Sequence, residues 1–151
     1  MADKYHSDDR SRIFTIQISG AGSKSGDTTS DGPLADVATW DRAYARWGHL
    51  LSDYTLKRAR LLARWSLQVV PAGGSQARFA LKKRNGAGAG EFVLYGDTRT
   101  AQGSYEEDIE VPLETFDDIR GFMAVVQARS IVSGQTTSVY EFQADLIVEV
   151  V

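Results

Sequence analysis

The segment "SGAGSKSG" at residues 19–26 contains the residue types of a phosphate-binding loop, namely glycines, serines and one lysine. A P-loop places Lys-Ser or Lys-Thr directly after its last glycine and opens a helix there, because backbone amides and the lysine together hold the phosphates. Here Lys24 and Ser25 precede the last glycine, Gly26, and turn-forming residues follow it. The dinucleotide fingerprint fails as well, since Ser25 stands where its third glycine is required. The sequence therefore predicts a polar connecting loop over residues 20–32 and no phosphate site.

Nucleophilic and metal chemistry based on histidine or cysteine has little material in this chain. The two histidines, His6 and His49, are far apart, and neither has a second histidine at metal-ligand spacing. The absence of cysteine excludes disulfides, thiolate metal sites and a cysteine nucleophile. No Gly-x-Ser-x-Gly element presents a serine nucleophile. We therefore expect a protein that is not an enzyme and that needs no cofactor.

A run of carboxylates offers the remaining chemistry. Glu106, Glu107 and Asp108 are consecutive, and carboxylates serve both as calcium ligands and as the acid and base groups of glycoside hydrolases. An EF-hand is absent, because the sixth position counted from Asp97 is Gln102 rather than glycine. Charge runs commonly form solvated faces. We expect a solvated or salt-bridged loop in which these three residues are weak calcium candidates, whereas a hydrolase would require one of them to be buried with a raised pKa.

Charge is distributed unevenly along the chain, although the total is only −3. Residues 42–84 contain ten basic residues and one acid, a net charge of +9, and residues 85–151 contain twelve acids and three arginines, a net charge of −9. The pI near 5.4 argues against a nucleic-acid module, whose pI is expected above about 9. The asymmetry instead predicts that protein neutralises the basic segment, either the chain's own acidic half or a neighbouring subunit.

Aromatic and arginine side chains define the candidate interface. An aromatic stripe recurs at helical spacing around residue 44, and two arginines lie one turn apart beside it. Three more arginines alternate with the apolar face that carries Trp65, so Trp65 is expected in the core. Core packing is the alternative for the stripe, but aromatics and arginine are enriched at protein interfaces. The candidate interface residues are Trp40, Arg42, Tyr44, Arg46, Trp47, Arg58, Arg60 and Arg64.

The elements that position these residues are mainly strands. Pro112 restricts one of them to a sheet edge or a strand end, because proline cannot donate to the ladder. In the last strand, strict alternation places Tyr140 and Phe142 on the apolar face with Ala144, and Glu141 on the opposite face. Period-two alternation stopped by Gly, Pro or Asn-Gly predicts strands over residues 13–19, 54–70, 77–83, 91–96, 108–114, 122–132 and 139–151. Residues 54–66 also contain good helix formers, so a helix is the alternative there, although the alternation favours a strand.

A helical insertion is predicted at about residues 34–52. Pro33 follows "SDG", and proline suits the first turn of a helix. Apolar residues then recur at spacings of three and four from Leu34 to Tyr54, with an interruption at Gly48.

The expected fold is mainly β, an antiparallel β-sandwich or barrel of jelly-roll type that carries this helical insertion. The length of 151 residues corresponds to one domain, which we place at residues 13–151 after a flexible N-terminal arm at residues 1–12. The arm lacks the apolar stretch of a secretory signal, and no window approaches the roughly 18 apolar residues of a membrane span. We expect cytoplasmic synthesis and no membrane partner.

The function predicted from these features is structural. A chain with one basic and one acidic surface can join unlike faces into rings or lattices, and terminal arms often order on binding. We expect a non-enzymatic protein that assembles with copies of itself or with other subunits, such as a phage capsid-decoration or tail subunit of a virion. The alternative is a carbohydrate-binding sandwich that uses Tyr95, Tyr105 or the acidic run with calcium.

Overall fold

Two antiparallel β-sheets pack face to face in the computed structural model of the chain. The structure describes residues 11–20, 22–41, 54–84, 90–116 and 121–151. Within these ranges no helix is long and apolar enough to cross a membrane. A short 3-10 helix covers Leu113–Phe116. The strands are β1 (Arg12–Gln17), β2 (Lys24–Thr28), β3 (Ala35–Asp41), β4 (Leu56–Val69), β5 (Ser75–Arg84), β6 (Gly90–Tyr95), β7 (Gly103–Glu110), β8 (Gly121–Ser130) and β9 (Thr137–Val150).

The strand order confirms the predicted sandwich. One sheet has the order β1-β9-β4-β7, and β2 joins it by pairing with β9. β1 pairs with residues 145–150 of β9 and β2 with residues 137–141, so two short strands follow one another along the same long neighbour. The other sheet has the order β3-β8-β5-β6. All of these pairs are antiparallel.

The core lies between the inward faces of the two sheets. β4 is the longest predicted strand, and its alternation buries Leu61 and Trp65, as the sequence predicts. Phe79 on β5 and Phe122 on β8 meet them from the four-stranded sheet and are also fully buried. Burial of aromatic side chains of this size contributes a large share of a core's stabilisation.

The helix prediction is wrong over residues 35–41, which form β3. A β-bulge between Asp36 and Ala38 shifts the register against β8. Because of this bulge, both Val37 and Trp40 pack against the core although they are three residues apart. A spacing of three between core residues is typical of a helix face. The bulge produces the same spacing in a strand, which explains the wrong prediction. The rest of the predicted insertion, residues 42–52, lies outside the described residues.

The predicted loop over residues 20–32 contains a strand. β2 is polar throughout, "KSGDT", and therefore carries no apolar alternation that could reveal it. Gly26 lies so close to β3 that an added Cβ would collide with the backbone carbonyl of Val37. A glycine at this position is what allows β2 of one sheet to approach β3 of the other.

β9 departs from strict alternation in its middle. Its register against β4 shifts where Gln143 lies opposite Arg64 but Glu141 lies opposite Trp65, which leaves Phe142 as the extra residue of a bulge. The predicted placement of Tyr140 and Phe142 on the apolar face is therefore wrong. Phe142 is exposed and Tyr140 is half-buried, while Glu141 turns inward and is fully buried.

The acidic run lies on a strand rather than in the expected loop. β7 spans Gly103–Glu110 and ends two residues before Pro112, so the predicted strand over residues 108–114 begins too late and ends too late. Among the strands of the described residues, β7 pairs with β4 alone and is an edge strand of its sheet, one of the two positions that Pro112 predicts.

Candidate functional site

The outward side chains of β4 and β7 form one surface, which we call the charged face. Alternation turns outward the even-numbered residues of β7 and those of β4 from Arg58 to Arg64. In antiparallel register Arg60 lies opposite Glu110 and Arg64 opposite Glu106. The charged face consists of Arg58, Arg60 and Arg64 on β4 and of Glu106, Asp108 and Glu110 on β7.

The ion pairs of the charged face run diagonally between the strands. Nε of Arg58 lies 2.9 Å from Oε1 of Glu110, and Nη2 of Arg60 lies 2.5 Å from Oδ2 of Asp108. Nε of Arg60 donates a second hydrogen bond of 3.2 Å to the same carboxylate. The hydrogen bond and the negative charge of Asp108 raise the pKa of the Arg60 guanidinium above its ordinary value.

The third pair is looser. Nε of Arg64 and Oε1 of Glu106 are 3.9 Å apart, and their side chains are 63% and 82% exposed. Elsewhere Lys57 pairs with Glu149 at 3.4 Å across β4 and β9. The chain's own acidic half therefore meets the basic residues of β4, which is one of the two ways of neutralisation that the charge asymmetry predicts.

A groove opens on the charged face where the β9 bulge adjoins β4. Its volume is about 510 Å³, and its walls include Arg64, Ser104, Tyr105, Glu106 and Phe142. The Phe142 ring stacks on Tyr140 with 6.0 Å between ring centroids. A second groove of about 280 Å³ shares Arg64 and Glu106 and continues along β7.

Glu107 points the other way, into the core. It is 7% exposed, and its Oε1 accepts a 3.0 Å hydrogen bond from Nε1 of Trp65. The Trp65 ring in turn packs against Tyr105, with 5.0 Å between centroids. Gly96 leaves the space for this carboxylate, since an added Cβ would lie 2.6 Å from Oε1 of Glu107. This buried bond between β4 and β7 was not predicted from the sequence.

Glu141 is the second inward carboxylate of the same sheet. It is fully buried, and neither carboxylate oxygen has a hydrogen-bond partner within the described part of the chain. Burial raises its pKa to about 8, and the charge of Asp145 contributes to the same shift. Sequence reasoning missed Glu141 because only the bulge turns it inward.

A lysine and a tryptophan lie at the same margin of the sandwich. Lys24 on β2 is directly opposite Glu141 in the register. Its ammonium nitrogen lies 5.2 Å from the centroid of the Trp40 ring on β3. Nε1 of Trp40 is buried and has no hydrogen-bond partner among the residues described.

The predicted interface residues do not form one surface among the residues that the structure describes. Trp40 is half-buried on β3 and packs on the core. The three arginines of β4 lie on the charged face. The four predicted residues that lie outside the described part are Arg42, Tyr44, Arg46 and Trp47.

The weak calcium candidates do not converge. Glu106 and Asp108 turn outward to arginines, while Glu107 between them turns inward to Trp65. Over the described ranges no group of three or more His, Cys, Asp or Glu side chains could hold a metal ion. Strand alternation separates consecutive carboxylates onto opposite faces.

The aromatic residues predicted for carbohydrate binding occupy different places. Tyr95 on β6 is 44% exposed on the four-stranded sheet, where the Arg78 guanidinium lies 3.8 Å from its ring centroid. Tyr105 lines the groove on the charged face, and its hydroxyl donates to the backbone oxygen of Ala101.

Comparisons with known proteins agree with this architecture. No protein-family model matches the chain, and no curated protein matches it. A chain of the infectious bursal disease virus Gt strain is 10% identical with a TM-score of 0.51, and a chain of T=1 particles derived from infectious bursal virus is 9% identical with a TM-score of 0.52. Each match covers 93% of this chain and 32% of the viral chain, so this chain spans about a third of those proteins.

A xylan-binding module, CBM15, is 13% identical with a TM-score of 0.44, covering 91% of this chain and 96% of the module. At these identities the likeness to the viral chains concerns the fold alone. This chain is therefore an antiparallel β-sandwich that shares its architecture with chains of a viral particle.

Proposed function

We propose that the chain is a non-enzymatic structural subunit that assembles with copies of itself or with other subunits, as a virion component of the capsid-decoration or tail kind. The observation that carries the proposal is the charged face. It is exposed along its whole length, with side-chain exposures between 42% and 82% for its six charged residues. A row of arginines beside a row of carboxylates presents both signs to an approaching subunit.

The charged face retains unused hydrogen-bonding capacity. A guanidinium has five N–H donors and a carboxylate accepts at about four sites, so a pair held by one or two bonds can bond further groups. Arg64 and Glu106 are the least engaged. Leu62 and Phe142, each 37% exposed, add apolar contact area between the charges. Arginine and aromatic side chains are the types enriched at protein interfaces.

The fold supports the same proposal. Two chains of similar fold come from infectious bursal disease virus and from T=1 particles derived from infectious bursal virus. Because this chain spans about a third of their length, the likeness supports a shared sandwich rather than a shared particle. The arrangement of the acidic run supports the non-enzymatic part of the proposal. Glu106 and Asp108 are exposed and pair with arginines, and the buried Glu107 accepts a hydrogen bond from Trp65.

Light scattering of the purified protein tests the proposal. At low ionic strength we expect oligomers that dissociate as salt rises, because exposed charges are screened over about 10 Å at 0.1 M salt. Arg64→Glu should weaken the oligomer. The reversal Arg64→Glu with Glu106→Arg restores the pair within the chain but inverts the surface pattern, so it should keep the monomer stable and still weaken assembly. A monomer at every concentration and ionic strength would refute self-assembly.

The groove beside Phe142 favours one second candidate, a carbohydrate-binding module. An exposed ring flanked by Arg64, Glu106 and Ser104 combines an apolar surface with convergent polar groups, as ligand sites do. Binding on a glycan array that is lost in Phe142→Ala but kept in Tyr95→Ala would support it. No binding to any glycan would exclude it.

A further inference from the structure

Glu141 and Lys24 face each other without bonding. Residues that are directly opposite in an antiparallel pair project from the same face, with Cβ atoms about 4.5–5.5 Å apart. Lys24 therefore shares the inner face of its sheet with Glu141. Its ammonium lies over the Trp40 ring instead of on the carboxylate, and both oxygens of Glu141 remain without a partner in the described chain.

The surroundings of Glu141 contain few charges that could compensate it. Trp65 lies opposite it on β4. On its own strand, Asp145 is negative and accepts a 2.7 Å bond from Gln143. Glu107 on β7 is another carboxyl group rather than a cation, and it accepts the hydrogen bond of the Trp65 indole N–H. The core residues of β3 and β8 within the described chain are Val37, Ala38, Trp40, Phe122, Ala124, Val126 and Ala128, all uncharged.

Lys24 is thus the one cation that the described elements bring to this position. A buried carboxyl without a partner is tolerated when it is protonated, because the neutral form costs far less to bury than the charge. Once ionised, it requires a cation or access to water. Lys24 is exposed and therefore free to move its flexible stem, whereas the carboxylate is fixed in the core.

We propose that Lys24 exchanges partners with the protonation state of Glu141. Its ammonium lies over Trp40 while the carboxyl holds its proton, and it moves onto the carboxylate when that proton is released to solvent. The exchange links a proton in the core to β2, an edge strand of the five-stranded sheet, and to the contact of β2 with β3. A sheet margin whose side-chain contacts change with pH would follow from it.

A pH titration followed by NMR tests this exchange in the full chain. The side-chain carboxyl carbon of Glu141 measures its ionisation, and the indole N–H of Trp40, assigned with Trp40→Phe, measures the departure of Lys24. In the wild type we expect both signals to move with one shared midpoint, because the same proton controls the carboxyl and the position of Lys24. In Glu141→Gln the Trp40 signal should stay constant across the titration.

Lys24→Met is the decisive variant, and it alters an exposed side chain. Loss of the cation should raise the proton affinity of Glu141 at least about tenfold, since an opposite charge at close range lowers the pKa of a carboxyl group by about one to three units. The Trp40 signal should then no longer follow the carboxyl. Lys57→Met is the control, because Lys57 is an exposed lysine of the same sheet that pairs with Glu149 at 3.4 Å, and its removal should leave Glu141 unchanged. An unchanged Glu141 midpoint in Lys24→Met would overturn the proposal.

Discussion

Glu107 and Glu141 are two carboxylates that face the same core from the two neighbours of β4, and only one of them has a hydrogen-bond partner. Glu107 accepts the indole N–H of Trp65, while Glu141 has no partner in the part of the chain that the structure describes. A buried polar group that is bonded contributes modestly, whereas an unbonded one carries its full desolvation cost. Burial alone therefore does not make a carboxylate stabilising. Whether it stabilises the fold depends on whether a hydrogen-bond donor lies beside it.

The largest effect on folding stability is expected at Glu141. Its pKa is raised from 4.5 to about 8 in the folded state, so the folded protein binds the proton more tightly than the unfolded chain. The associated stability is complete below pH 4.5 and is lost as pH rises towards 8. Glu141→Gln removes the ionisable group, so the variant should not lose this stability. We expect its free energy of unfolding, relative to wild type, to be about 3 kcal/mol higher at pH 7 than at pH 4.

Urea denaturation of wild type and Glu141→Gln at several pH values measures this effect. Asp145→Asn is a useful control, because Asp145 contributes to the shift and its removal should lower the midpoint of the pH dependence. Parallel stability curves for wild type and Glu141→Gln between pH 4 and 8 would contradict the assignment.

The bonded carboxylate should respond to loss of its donor instead. Trp65→Phe leaves Glu107 buried without its N–H partner and opens space beside Tyr105, so we expect a destabilisation of about 2 kcal/mol. Glu107→Gln keeps an acceptor oxygen and should cost less than about 1 kcal/mol. Thermal or chemical unfolding compares the two variants, and equal losses would show that the hydrogen bond is not what distinguishes this position.

The smallest effect is expected for the exposed neighbour. Glu106 lies next to Glu107 in sequence but pairs with Arg64 at 3.9 Å on the charged face. Exposed ion pairs contribute about 0–1 kcal/mol and are screened by salt. Glu106→Gln should therefore change unfolding by less than about 0.5 kcal/mol in low salt and less still in high salt. A loss as large as that of Trp65→Phe would mean that the charged face stabilises the monomer.

Regular alternation is what made part of this molecule predictable. β4 and the arginines on its outer face follow a period of two from Arg58 to Trp65, and the structure confirms both the strand and the buried position of Trp65. The sandwich follows from many such strands separated by glycine-rich turns. The pairing of Arg60 with Asp108 could be anticipated only as a charge balance, since register depends on contacts between distant segments.

Irregularity accounts for what was not predicted. Each β-bulge inserts one residue that local sequence does not reveal, and each moves the following side chains to the opposite face. In β3 the bulge imitates helical spacing, and in β9 it turns Glu141 inward and Phe142 outward. β2 is polar throughout and therefore shows no hydrophobic pattern in the sequence. Its position depends on pairing with β9 and on the close approach that Gly26 allows, not on an apolar face.

The division of one edge of β9 between β1 and β2 has a mechanical consequence. Because each short strand is hydrogen-bonded to its own half of β9, residues 24–28 can detach while residues 12–17 remain paired. The edge therefore opens in two separate steps instead of one. Local opening of this kind exposes a row of backbone donors and acceptors without global unfolding. Amide hydrogens of β2 should consequently exchange with solvent well before those of β4 at the centre of the sheet.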